Sequence, residues 1–501
     1  MILLLLVLAI TLALPVVQTK IARYVTVSLN TDFKTNISVD RVAINLFGGV
    51  KLKKVLILDH HKKTLIYSDI ITTDILSIKR LLDGDLIFGD LRLTGMIFNL
   101  KTYKNEDENN INKFIKLFDT GKKKKSTKRF LLTAKNAYIS KGIFTVIDEN
   151  KTTPKFLDFT KLNAYISDFK LYGPDVTTII HRFSFLDHRG LYVSNFAGKL
   201  TYTKKQIKVE NLAIKTKRSW IYGKAILNYK IEDFLHFTDK VKFDVALDSA
   251  SIASNDVRFF YDGLGKNQHF KIKTKLKGTL NNLNLRNLRL SDMNGSKING
   301  TLNFKNLLGS KTQKFAMEGK FDKLISSYDN LVVILPGILG KKLPKELKRI
   351  GKFNIVGKTK VSTTELEANF KMITDIGNGQ ADLQMKNMDF IDKASYSGNI
   401  ILDNFNVGAL LNRKDIGRTT LNLDVDGVGF TEKYLNTIIK GDIAKLEYNK
   451  YTYNNIVVNG NFKLPYYKGQ LSINDPNLSL TFDGLVDLSK RESRYDFHIN
   501  V

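Results

Sequence analysis

A two-residue alternation of apolar and polar side chains dominates the chain from about Phe130 onward. Successive side chains of a β-strand point to opposite faces of a sheet, so this period is that of strands with one apolar face. Breaks at glycines such as Gly278 and Gly460 separate the alternating segments. The pattern predicts a mainly β chain built as a long antiparallel meander. The apolar positions that we expect to line one face are Leu200, Tyr202, Ile207, Val209, Leu227, Phe243, Val245, Leu247, Leu302, Phe304, Leu421, Leu423, Val425, Tyr495, Phe497 and Ile499.

A sheet of this length carries more apolar surface than a soluble protein normally exposes. The alternating part of the chain would supply roughly 25 strands, which at about 4.8 Å between strands extend over about 120 Å. That surface has to be covered by a second sheet, by the sheet curling on itself, or by a ligand with apolar tails. The residues leave two alternatives open: a closed sandwich, and a half-open sheet filled with acyl chains.

Short helical patterns interrupt the strands, and none is long enough to cover the whole sheet. Apolar residues three or four apart predict each of them. The predicted helical segments are 18–29, 75–82, 109–118, 321–335, 344–350 and 431–440.

The first twenty residues are a separate apolar segment, in which Ile2 to Val17 contain no charge. Sixteen helical residues span about 24 Å, less than the roughly 30 Å hydrocarbon core of a bilayer. The segment could be the core of a signal peptide, a buried element, or a transmembrane helix whose beginning lies upstream. A signal peptide lacks support because no basic residue precedes the apolar run. We therefore expect a transmembrane anchor over 1–19 with a truncated start.

The formal net charge of +29 raises the question of a nucleic-acid or polysaccharide ligand. The lysines are scattered through alternating segments, as at Lys271, Lys273, Lys275 and Lys277, where they would form the solvated face of a sheet. We therefore expect no nucleic-acid partner. The chain has no cysteine, which excludes disulfides, cysteine-ligated metals and thiol nucleophiles.

The sequence offers little chemistry. No Gly-x-Ser-x-Gly nucleophile elbow and no phosphate-binding loop occurs. Asp59, His60 and His61 form the one compact His/Asp cluster, but neighbouring side chains on a strand would point to opposite faces and make a poor metal clamp. We expect no catalytic, cofactor or metal site, and hence no enzyme.

Several segments together resemble TamB-type proteins of the AsmA-like superfamily, in the form found in Bacteroidota. Each is a structural pattern, and they are spread over nearly the whole chain. They are the apolar anchor with PVVQT at 15–19, TNISVDRV at 35–42, VKLKKVLILD at 50–59, TLIY at 64–67, LRLTG at 91–95, LPGILGKKLP at 335–344, YTYNNI at 451–456 and LSINDPNL at 471–478.

The resemblance implies an elongated antiparallel β-groove, also described as a β-taco or repeating meander, with a few short helices and an N-terminal transmembrane helix. It divides the chain into the anchor at 1–19, an AsmA-like N-terminal α+β module at 20–120, and the groove at 121–501, which we expect to be truncated at its C-terminal end.

The implied function is that of a single-pass bacterial inner-membrane protein, with most of the chain in the periplasm, that carries phospholipids or other acyl-chain lipids towards the outer membrane. The alternative is a scaffold of a translocation and assembly module for outer-membrane barrel proteins. In the family, a C-terminal region beyond the segments present here is associated with the barrel partner.

Overall fold

The computed structural model describes residues 14–45, 49–75, 85–117, 131–151, 155–173, 175–308, 314–334, 336, 345–390, 392–431, 433–463, 466–487 and 494–501. No helix within these ranges combines the length and the apolar character needed to cross a membrane. Residues 1–13 of the predicted anchor, and the predicted helix at 75–82 apart from its first residue, lie outside them. The described chain is mainly β, and its contacts divide it into two units, Met1–Phe234 and Leu235–Val501.

The first unit begins with helix α1 (Pro15–Phe33), which confirms the helical segment predicted over 18–29. A short helix α2 (Asn110–Lys116) confirms the prediction over 109–118. The strands of this unit are β1 (Asn36–Ile44), β2 (Gly49–Leu58), β3 (Thr64–Ile75), β4 (Leu86–Thr94), β5 (Ile97–Thr102), β6 (Leu131–Asp148), β7 (Lys155–Tyr172), β8 (Asp175–Asp187), β9 (Tyr192–Tyr202), β10 (Gln206–Thr216) and β11 (Trp220–Asn228).

The first unit is not purely antiparallel: its parallel pairs involve β4 and β5, which precede the part of the chain predicted to form the meander. Strands β4 and β5 both pair in parallel with β6, while the other described pairings of this unit are antiparallel. A parallel pair needs a crossover of a dozen or more residues, and the chain supplies one between β5 and β6, where α2 lies. The two-residue alternation of apolar side chains does not tell whether two strands pair parallel or antiparallel.

Helix α1 covers the outer edge of β1. The amide of Gln18 both donates to the carbonyl of Ile44 at 2.9 Å and accepts from its backbone N–H at 2.6 Å. Asn30 makes the same pair of bonds with Ile37, and the Thr19 hydroxyl bonds both backbone groups of Val42 at 3.2 Å. These side chains occupy backbone groups to which another strand would otherwise bind, which is one way in which proteins protect a sheet edge.

The second unit contains fifteen strands, and within it each strand pairs antiparallel with the next one in the chain. They are β12 (Lys242–Ala253), β13 (His269–Gly278), β14 (Leu283–Asp292), β15 (Lys297–Lys305), β16 (Ala316–Ser327), β17 (Lys352–Ser362), β18 (Glu365–Thr374), β19 (Gly377–Lys386), β20 (Ser395–Asn406), β21 (Ile416–Val428), β22 (Asn436–Tyr448), β23 (Tyr451–Lys463), β24 (Tyr466–Asp475), β25 (Leu478–Asp487) and β26 (Arg494–Asn500). Its helices are α3 (Phe237–Lys240), α4 (Ser254–Val257), α5 (Tyr328–Ile334) and α6 (Val407–Leu411), with a 3₁₀ turn at Lys345–Ile350 that confirms the helical start predicted at 344–350.

Of two further predicted helices in this unit, one is confirmed in its second half and the other is wrong. In the segment 321–335, Tyr328–Ile334 forms α5, while residues 321–327 belong to β16, where a β-bulge between Phe321 and Leu324 places apolar residues three apart and imitates helical spacing. The segment 431–440 leads into β22, where Ile438 is 52% exposed while its neighbour Ile439 is half-buried. The apparent helical stripe there consists of residues on opposite faces of a strand.

The core of the second unit is a cluster around Ile350, Phe353 and Phe405, of which Phe405 is only 2% exposed. Residues from α5, the 3₁₀ turn and α6 pack on this cluster, together with Ile355, Met372 and Leu402 from the sheet. Since Ile355 faces Met372 across β17 and β18, the helices cover one part of a single sheet face.

Candidate functional site

The strand register of the second unit aligns apolar residues into continuous rows. Residues directly opposite each other on paired strands lie on the same face, so a row can be followed from strand to strand. The first apolar row is Phe243, Gly278, Leu283, Phe304, Met317, Val361, Leu366, Met385, Tyr396, Gly427, Thr437, Phe462, Tyr467, Val486 and Tyr495. The second apolar row is Val245, Leu276, Leu285, Leu302, Gly319, Thr359, Ala368, Leu383, Gly398, Val425, Ile439, Gly460, Gly469, Gly484 and Phe497.

These two apolar rows cross all fifteen strands without one charged residue, and apart from tyrosine hydroxyls their polar side chains are Thr359 and Thr437. Strands are about 4.8 Å apart, so the fourteen intervals give a path of about 67 Å along the sheet. Half of the roughly 30 Å hydrocarbon core of a bilayer is about the length of one acyl chain. The path is therefore between about four and five acyl chains long.

The residues between the two rows form a polar row on the opposite face. It consists of Asp244, Lys277, Asn284, Asn303, Glu318, Lys360, Glu367, Gln384, Ser397, Asp426, Ile438, Asn461, Lys468, Leu485 and Asp496. Opposite charges meet along it, with Lys360 Nζ 2.9 Å from Glu367 and Lys277 Nζ 3.0 Å from Asp244. The sheet thus separates apolar and charged side chains on its two faces.

The lysines of β13 lie on this polar face, as predicted, and are exposed. Two of them oppose arginines of β14: Lys273 faces Arg289, and Lys275 faces Arg286. Like charges directly opposite on a sheet are destabilising. This part of the polar face is therefore basic, and its opposing lysines and arginines repel each other.

The large apolar side chains of the two rows are half-buried or exposed, and none of them is part of the buried core. Tyr495 and Phe497 are 59% and 39% exposed. In a filled sandwich, the inner faces of two sheets interdigitate and their side chains are excluded from water. Within the described residues, the apolar rows keep part of their surface accessible.

Aromatic rings of the first row cover glycines of neighbouring strands. The ring of Tyr396 lies 2.8 Å from the position that a Cβ of Gly427 would occupy, and Tyr467 lies 2.7 Å from that of Gly460. A larger residue at either glycine would displace the ring. Glycine therefore leaves room on this face for flat aromatic surface.

The structure brings the sequence-predicted residues together in two groups. In the second unit, Leu421, Leu423 and Ile499 lie on the same face as the apolar rows, because they alternate with Val425 and Phe497 along β21 and β26. Leu247 likewise follows Val245 on β12, and the other predicted residues of this unit are members of the rows. In the first unit, Leu200 opposes Val209, and Ile207 opposes both Tyr202 and Leu227, so these five share one face of β9 to β11.

Asp475 joins the two stretches that most resemble the family, 451–456 and 471–478. Its carboxylate accepts hydrogen bonds from the hydroxyl of Tyr451, from the backbone N–H and side-chain amide of Asn454 at 3.0 and 2.8 Å, and from the backbone N–H of Asn477 at 3.0 Å. The Tyr451 bond, with the other donors, lowers the pKa of Asp475 to about 2. One carboxylate therefore ties the start of β23 to the end of β24 and the turn that follows it, which is a structural role.

A second polar cluster lies at the turn between β2 and β3, where the sequence indicated Asp59, His60 and His61 but not their partner Glu106. His60 and His61 both reach Glu106, with Nε2 of each ring 3.0 Å from a carboxylate oxygen. Lys113 Nζ lies 2.9 Å from the same carboxylate, and His61 and Lys113 lower the pKa of Glu106 to about 2. The histidines lie in a turn, so the alternation expected for strand neighbours does not apply. Sequence offers no signal for Glu106, which lies 45 residues beyond His61.

Comparison of the chain with protein-family models, with curated proteins and with solved structures found no match.

Proposed function

We propose that this protein carries acyl-chain lipids along the apolar rows of its second unit. The observation that supports this is the pair of fifteen-residue rows that contain no charge and remain partly accessible. Apolar surface of this extent is unfavourable in water, at about 25 cal/mol per Å². A ligand with long apolar tails would cover it.

Acyl chains suit these rows better than a compact ligand does. The rows offer a long apolar path with few hydrogen-bonding groups, so they would bind tails without selecting a particular headgroup. Small-molecule sites, in contrast, place a few polar groups at defined positions in a concave pocket. Under this proposal the sheet forms an elongated β-groove, anchored in the bacterial inner membrane with most of the chain in the periplasm, and phospholipids move along it towards the outer membrane.

Site-specific photocrosslinking in cells tests the proposal. Probes at Phe370 and Leu423, on the apolar face, are compared with probes at Lys371 and Asp424, their neighbours on the opposite face of the same strands. Phospholipid attached at the first two positions and not at the controls would support a lipid-filled groove. Crosslinks from Phe370 and Leu423 to this protein alone would mean that the face is closed by the chain itself, and would overturn the proposal.

A further inference from the structure

His60, His61 and Glu106 place three metal-binding side chains around one point. One ring nitrogen of each histidine and a carboxylate oxygen of Glu106 all lie within 4.8 Å of one another. His60 Nε2 is 3.2 and 3.0 Å from the two oxygens of Glu106, and His61 Nε2 is 3.0 Å from one of them. Two imidazoles and one carboxylate are a ligand set found in zinc and other transition-metal sites.

The turn that carries the two histidines is fixed by the buried carboxylate of Asp59, which is 2% exposed. One oxygen of Asp59 accepts the backbone N–H groups of His61 and Lys63 at 2.9 and 3.0 Å. The other accepts the Tyr103 hydroxyl at 2.7 Å and the amide of Asn110 at 3.0 Å. These four bonds wind the chain tightly enough for adjacent rings to lie on the same side, with their centroids 4.4 Å apart.

The third side chain is also held from its backbone. The N–H of Glu106 donates to the carbonyl of Tyr103 at 3.0 Å, and the Glu106 carbonyl accepts from the amide of Asn150 at 2.9 Å. The Tyr103 ring contacts the His61 ring at a centroid distance of 3.9 Å while its hydroxyl bonds Asp59. Tyr103 therefore links both sides of the cluster, and the three ligand atoms are positioned before any ion binds.

We propose that His60, His61 and Glu106 form a binding site for a divalent transition-metal ion such as Zn²⁺. Zinc takes imidazole nitrogen and carboxylate oxygen at about 2.0–2.2 Å in a tetrahedron, whose edges are then about 3.3–3.5 Å. The observed nitrogen-to-oxygen separations of 3.0–3.2 Å need only a few tenths of an ångström of expansion. The side chains of His60 and His61 are 27% and 45% exposed, so water can supply the fourth ligand.

Lys113 distinguishes a metal site from a simple group of ion pairs. Its Nζ lies 2.9 Å from Oε2 of Glu106, so a bound cation has to compete with the ammonium group for this carboxylate. Removing the ammonium group while keeping an unbranched side chain, as in Lys113→Met, should make metal binding several-fold tighter. Ion pairing alone would predict no metal affinity with or without Lys113.

The test is a titration of the purified, chelator-treated full chain with ZnCl₂ against a chromophoric chelator, and with CoCl₂ followed by its visible absorption. We expect one saturable site per chain and Co²⁺ bands of four-coordination. Glu106→Gln, which keeps the size and shape of the side chain, should weaken binding at least about tenfold, as should His61→Ala. A control variant with both His181→Ala and His188→Ala should bind as the wild type does.

Two results would overturn the assignment. One is zinc affinity of the wild type no higher than that of the doubly substituted His60→Ala, His61→Ala variant. The other is a Lys113→Met variant that binds Zn²⁺ no tighter than the wild type, which would remove Glu106 from the ligand set. Far-UV circular dichroism of each variant separates loss of binding from loss of fold.

Discussion

The cost of truncating a phenylalanine should differ sharply between the core cluster and the apolar rows. Phe405 is 2% exposed and packs in the cluster with Ile350 and Phe353. Phe370 is half-buried, outside that cluster, and opposes the small residues Gly357 and Ala381 on its two neighbouring strands. Both side chains belong to the second unit, so the same substitution reports on two environments of one sheet.

The free energy of unfolding follows from the burial of each ring. Phe405→Ala removes buried apolar surface and leaves a cavity, which together cost about 3–5 kcal/mol. Complete burial of a phenylalanine contributes about 1.5–3 kcal/mol, so a half-buried Phe370 that leaves a gap open to solvent should cost only about 1 kcal/mol when changed to alanine.

Urea unfolding of the lipid-free protein, followed by far-UV circular dichroism, measures both costs. Lys371→Ala, on the exposed opposite face of β18, is the control and should change stability by no more than about 0.5 kcal/mol. If Phe370→Ala cost as much as Phe405→Ala, the apolar rows would be a closed core and the reasoning behind the accessible face would be wrong.

Two further predictions concern charged groups of the second unit. The hydrogen bond from Tyr451, with the other donors, lowers the pKa of Asp475 to about 2, so this carboxylate stabilises the fold above its unfolded pKa near 4, and that stabilisation should be lost as the pH falls from about 4 towards 2. The free energy of unfolding should depend less on pH across this window in Asp475→Asn than in the wild type. An identical pH profile would contradict the stabilising role of the Asp475 carboxylate. Lys275→Glu should raise stability by about 0.2–1 kcal/mol, because it replaces repulsion across from Arg286 by attraction. Lys277→Glu, which loses an ion pair across the strands, should have the opposite effect in the same urea titration, and stabilisation by both variants would indicate a general effect of net charge instead.

Period-two alternation was sufficient to predict the mainly β fold and the face on which distant residues lie. Val245 and Phe497 are more than two hundred residues apart in the chain, yet the register places them in one row. This worked because alternation sets the face of each residue relative to its strand neighbours, and antiparallel pairing carries that face from strand to strand.

Features set by irregular backbone could not be predicted in this way. The bulge after Phe321 adds a residue to one strand and breaks the period, so the helix predicted over 321–335 began too early, within β16. The parallel pairing of β4 and β5 with β6 depends on the path of the crossover. The approach of Glu106 to His60 and His61 depends on a turn wound around Asp59, whose four hydrogen bonds come from residues up to 51 positions away.

Pairing of every strand from β12 to β26 with its neighbours in the chain has a consequence for folding and for the evolution of length. Most contacts in such a meander close over one hairpin, so the sheet can grow by adding successive strands without waiting for distant segments to meet. Insertion or deletion of one hairpin, two strands at a time, keeps both the direction of the chain and the side on which its apolar residues lie. A sheet of this kind can be lengthened or shortened in steps of about 10 Å while its two faces keep their character.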